Sequence, residues 1–102
     1  MRSFKVDDVA ADEFEAAAAW YEGERPGLGL EFIAEVNRTL DRIEHHETFV
    51  TAPVTAIRGG VVRREFVRRF PYVVMFVETD DIRRVIMIRR GTSDPDLWQS
   101  RI

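Results

Sequence analysis

The stretch that decides the fold is "VVRREFVRRFPYVVMF", Val61–Phe76, in which two arginine pairs interrupt what otherwise reads as consecutive apolar strands. A strand tolerates charge only where the side chain leaves the core face, so the pairs set the register. Val62, Arg64 and Phe66 share one face of the first strand and Arg63, Glu65 and Val67 the other. Periodicity of two predicts strands near Val61–Val67, Phe70–Glu78 and Ile82–Arg90, the last two joined by the turn residues Thr79, Asp80 and Asp81. In "IRRVIMIRR" strict alternation places Arg84, Ile86, Ile88 and Arg90 on one face and Arg83, Val85, Met87 and Arg89 on the other.

Upstream, Phe4 and Val6 have strand spacing within Ser3–Asp7, and Asp7 or Asp8 can cap a helix by accepting first-turn amide protons. Ala10, Phe14, Ala17 and Tyr21 form one helical stripe, while Gly23, Pro26, Gly27 and Gly29 break and restart the chain. Ile33, Val36, Leu40 and Ile43 form a second stripe over Leu28–His45. The short connection predicts an antiparallel helical hairpin. The stretch from His46 to Gly60 reads as irregular, and a short helical turn is expected from Pro95. The fold class is therefore α+β: an N-terminal strand, a helical hairpin and a three-stranded antiparallel meander, helices on one sheet face, in a single domain spanning 1–102. Arginines then gather on the face the helices leave open. Arg63 turns toward the helix side, where Glu31, Glu35 and Glu44 are its candidate partners.

Composition narrows the chemistry. The chain has 102 residues and no cysteine, which excludes disulfides and thiolate metal sites and favours the cytoplasm. Its longest apolar run, Tyr72–Val77, falls far short of the roughly 20 residues that span a bilayer. The net charge of -3 hides an asymmetry: residues 1–50 carry five basic and twelve acidic side chains, residues 51–102 ten arginines and six acids. Arginine's planar fork suits carboxylates and phosphates. His45 and His46 are adjacent, a poor geometry for a shared metal, and no cofactor or metal is expected. Gly59-Gly60 precedes a strand and lacks the helix N-terminus of a phosphate loop, Ser93 has no histidine base, and Trp20 and Trp98 read as packing residues.

Trp20-Tyr21, Pro26-Gly27-Leu28-Gly29, Arg63-Arg64, Arg69-Phe70-Pro71-Tyr72 and the closing Asp94-Pro95 with Trp98 and Arg101 occur in an order that resembles the RelE/ParE superfamily of bacterial toxins, the plasmid-stabilisation proteins of type II toxin–antitoxin modules. The resemblance extends over nearly the whole chain. It implies a growth inhibitor in a hetero-oligomer with a cognate antitoxin, whose C-terminal segment wraps the toxin. RelE-like members cut mRNA on the ribosome; ParE-like members bind DNA gyrase. Where relatives commonly show "HGRRDP" this chain has "RGTSDP", with Arg90 in the histidine's place and Thr92-Ser93 for the arginine pair. Attack by an RNA 2′-hydroxyl needs a group that takes a proton near neutral pH, which arginine does not. The resemblance therefore points to a ParE-like binder whose target-binding residues are Arg64, Arg69, Arg84, Arg90, Trp98 and Arg101. The competing endoribonuclease would use Arg64, Arg69, Arg84 and Arg90 around the phosphate with Glu65 or Tyr72 moving the proton. A third reading is a remnant that only binds antitoxin.

Overall fold

The computed structural model describes residues 2–46, 53–91 and 96–102. The readings made at 47–52, and at Thr92, Ser93, Asp94 and Pro95, lie outside the described residues. Strand β1 (Ser3–Val6) leads into helix α1 (Asp8–Glu24) and helix α2 (Leu28–His45); strands β2 (Thr55–Ile57), β3 (Gly60–Phe66), β4 (Tyr72–Thr79) and β5 (Ile82–Arg90) follow, and a 3-10 helix (Leu97–Arg101) closes the chain. The sheet order is β1-β5-β4-β3-β2, with β1 parallel to β5 and every other pairing antiparallel. The class is α+β, as expected.

Three details depart from the periodicity. The stretch expected to be irregular contains β2, which pairs Thr55–Ile57 with Gly60–Val62; three residues are too few for alternation to register. Phe70 and Pro71 stand outside β4, because Arg69 takes a left-handed φ of 70° and proline cannot donate to the ladder. A bulge lies opposite Met75 and Phe76: Phe76 pairs with Val85 and Met75 with Met87, leaving Ile86 as the extra residue. One added residue reverses the alternation beyond it. Arg84 and Arg90, assigned to one face by strict alternation, consequently lie on opposite faces.

The core has two sides. On the helix side Phe32, Val36 and Ile43 of α2 and Ala10, Ala17, Ala18 and Tyr21 of α1 pack on Val74, Phe76, Val85 and Ile88. Burying each large apolar side chain is worth roughly 1.5–3 kcal/mol. Phe32, one residue from the expected stripe of α2, is fully buried, and Ile33 and Leu40 sit at the margin. On the second side Val62, Val73, Met75, Val77, Ile86 and Met87 form their own cluster with Trp98 and Leu97. The face expected to stay open is therefore partly roofed by the C-terminal 3-10 helix.

Local chemistry joins the helices. Gly27 takes φ 89° at the N-cap of α2, and a Cβ on Gly29 would stand 2.8 Å from the Ala18 carbonyl oxygen. That proximity lets the Glu22 carboxylate accept protons from the Gly27 amide (2.9 Å) and the Gly29 amide (3.0 Å), satisfying two of the donors at the start of α2. Asp7 is the N-cap of α1, yet its carboxylate accepts from Arg84 and from no first-turn amide.

Candidate functional site

Most arginines of the C-terminal half are held by specific acceptors. Arg63 Nε donates to Glu78 Oε1 at 3.0 Å and Arg83 Nε to Glu78 Oε2 at 2.7 Å. Arg83 also donates to the carbonyl of Ile43 (2.9 Å) and that of His46, capping the C-terminal end of α2. Burial pushes the Glu78 carboxyl up, but hydrogen bonds from Arg63 and Arg83 outweigh it and hold the group below the usual carboxylate range. Arg63 is thus on the helix side as its register requires, but its partner is the cross-strand Glu78; Glu31 and Glu35 face Arg69 instead, at 2.8 and 3.9 Å. Hydrogen bonds from Arg69 and Arg25 hold the Glu31 carboxyl below its ordinary range.

The expected site residues fall into separate neighbourhoods. Arg64 is exposed on the second face, its guanidinium 5.2 Å from the Phe66 ring centroid, and Phe66 is itself 54% exposed. Glu65, opposite Val74, is half-buried on the helix side. Arg84 lies over Asp7 and reaches the Arg101 carbonyl at 3.4 Å. Arg101 is 14% exposed and grips Glu13 at 2.7 Å, and Trp98 is buried in the second cluster. Of the six residues considered for RNA cleavage, only Arg90 and Tyr72 are brought into side-chain contact, with the guanidinium 5.8 Å from the ring centroid.

Arg90 and Tyr72 belong to a cleft of about 320 Å³ between α1 and the end of β5, lined by Glu13, Ala16, Ala17, Trp20, Tyr72, Ile88, Arg89 and Arg90. Tyr72 packs its ring on Phe32 (5.0 Å) and Tyr21 (6.0 Å). Burial pushes the Tyr21 hydroxyl up, an effect Arg90 partly opposes. Trp20, expected to be packing, is 52% exposed at the cleft mouth, with Arg90 5.5 Å from its centroid. Its place one residue off the Ala17–Tyr21 stripe was the available signal. Glu13 had an equivalent one, since it shares a helical face with Trp20 seven residues on.

Such a surface can hold carboxylates on its guanidinium groups and apolar side chains against Trp20 and the small alanines. Neither histidine lies near it: His45 and His46 are exposed at the end of α2, His45 Nε2 being 3.4 Å from Asp41.

A solved chain described as "Chromosomal ParDE TA system from P. aeruginosa" superposes with a TM-score of 0.72 over 88% of this chain and 96% of its own length, at 19% identity. The chain has the ParE-like fold. No family model and no curated protein matches its sequence. At this identity the likeness is one of fold. No helix among the described residues is long and apolar enough to cross a membrane.

Proposed function

We propose that this chain is the toxin of a type II toxin–antitoxin module, a growth inhibitor that acts by binding a target protein such as DNA gyrase and is neutralised by a cognate antitoxin. The ParE-like fold supports the toxin assignment. The observation that carries binding over catalysis is the separation of most of the would-be catalytic groups: Arg64 and Glu65 project from opposite faces of β3, Arg69 is occupied by Glu31, Arg84 by Asp7, and Tyr72, half-buried against Tyr21 and Phe32, has only Arg90 of that set beside it. Phosphoryl transfer needs these groups within hydrogen-bond reach of one reacting centre. The exposed Arg64–Phe66 pair instead has the makeup of a protein-binding anchor, an aromatic beside a guanidinium.

Controlled expression in cells tests this reading. Growth arrest is expected with the native chain, relief on co-expression of the protein encoded beside it, and loss of arrest with Arg64→Ala. Full arrest by Arg64→Ala would sink the role given to that face; no arrest despite antitoxin binding would favour the remnant. The endoribonuclease reading keeps one supporting feature, the Arg90–Tyr72 contact at a cleft.

A further inference from the structure

Strand β1 pairs with β5 only along Ile82–Val85, after which the chain turns into α1. Among the described residues, the edge of β5 from Ile86 onward therefore has no backbone partner on that side. Two of its groups are satisfied by side chains instead. The Ile88 amide donates to Glu13 Oε1 at 3.2 Å, and the Ile86 carbonyl accepts from Arg101 Nη1 at 3.1 Å. Glu13 and Arg101 are joined to each other at 2.7 and 3.2 Å, so a carboxylate and a guanidinium stand where a neighbouring strand would present a carbonyl and an amide. Gly91 donates toward β4, to the Pro71 carbonyl; by alternation the amides of Ile88 and Arg90 point to the free edge.

We propose that this edge of β5 is a strand-addition site held closed by the Glu13–Arg101 pair, and that it takes an acidic extended segment of the antitoxin. The identity of the partner rests on the toxin reading; the site itself does not. Three features select the occupant. The edge supplies ladder groups, which an extended chain matches. Three guanidinium groups, Arg89, Arg90 and Arg101, stand against one carboxylate, Glu13, so the complementary segment carries acids. The cleft floor at Ala16 and Ala17, with Trp20 at its mouth, leaves room for one apolar side chain of that segment. The incoming strand replaces the Glu13 and Arg101 contacts at Ile88 and Ile86, and Glu13 opposes it by charge until it swings away. The plug thereby blunts an edge that would otherwise pair indiscriminately.

The test uses the full chain, isotopically labelled, titrated with a capped decapeptide alternating valine and glutamate, and with a valine–lysine counterpart. The glutamate peptide is expected to shift the amides of Glu13, Trp20, Ile88 and Arg90 saturably, to slow exchange of the Arg90 amide, and to bind at least about tenfold tighter than the lysine peptide. Glu13→Gln weakens the plug and removes the opposing charge, so it should bind about fivefold tighter. Arg101→Lys keeps the charge but loses the fork, and should change affinity in the same direction, which guards against a fold defect in either variant alone. Shifts confined to the Arg64–Phe66 face, equal binding of the two peptides, no saturation, or weaker binding by both variants would overturn the site. Growth arrest without a peptide response leaves the toxin reading standing; a peptide response without growth arrest does the reverse.

Discussion

Arg63 and Arg64 are consecutive and have opposite duties. Arg63 is 20% exposed and shares Glu78 with Arg83, whereas Arg64 faces solvent beside Phe66. Removing Arg63 leaves Glu78 with one partner and is expected to cost about 1–3 kcal/mol, seen as a lower Tm; Arg64→Ala should stay within about 0.5 kcal/mol of the native chain. Equal melting losses would contradict the assignment. Glu78 carries a pH signature as well. Its folded value lies below the unfolded one, so its stabilisation is fully present above the unfolded carboxylate range, about 4.3–4.5, and is lost as pH falls through the folded value. Glu78→Gln should therefore melt below the native chain at neutral pH, and the gap should narrow in acid. A gap independent of pH would sink this account of Glu78. The opposing directions of Arg63 and Arg64 were legible in their adjacency. The partner was not, because Glu78 lies fifteen positions away and becomes a neighbour only through the β3–β4 register.

At the scale of elements, the helices were legible because their stripes and the glycine–proline break between them are local, although Asp7 accepts from Arg84 and not from the first-turn amides expected of it, and β4 and β5 were legible because they are long apolar runs. Strand β2 was hidden by its brevity, and the bulge by composition: in "VIMI" each residue is apolar, so alternation cannot reveal where one is extra. That single residue redistributed the arginines of β5 and with them the expected open-face cluster. The helical hairpin is the element most exposed to a small change. Gly29→Ala places a methyl group 2.8 Å from the Ala18 carbonyl oxygen and 2.9 Å from Glu22, forcing α1 and α2 apart. The expected loss is about 1–3 kcal/mol. Glu22→Ala removes only the cap and should cost about 1 kcal/mol. Urea unfolding of both variants checks the order; a neutral Gly29→Ala would contradict the close approach.

Across the whole molecule, the two oppositely charged halves are stitched together. Asp7 holds Arg84, Glu13 holds Arg89 and Arg101, and Glu31 holds Arg69. More than half of the C-terminal arginines are taken up by such pairs, and among those left to meet a partner are Arg64 beside Phe66 and Arg90 at the Trp20 cleft. Both combine charge with apolar surface, so antitoxin binding should weaken with salt only partly. A steep loss of affinity across a salt titration would indicate a purely electrostatic interface and count against this account.

The central claim, inhibition by binding without RNA cleavage, is tested most directly by mapping mRNA 5′ ends genome-wide shortly after induction in cells. The separation of Arg64, Glu65, Arg69 and Arg84 from one another and from the Arg90–Tyr72 pair predicts ends unchanged from the uninduced culture, alongside DNA damage and filamentation. New ends at defined codons on translated messages, abolished by Glu65→Ala or Tyr72→Phe, would contradict it.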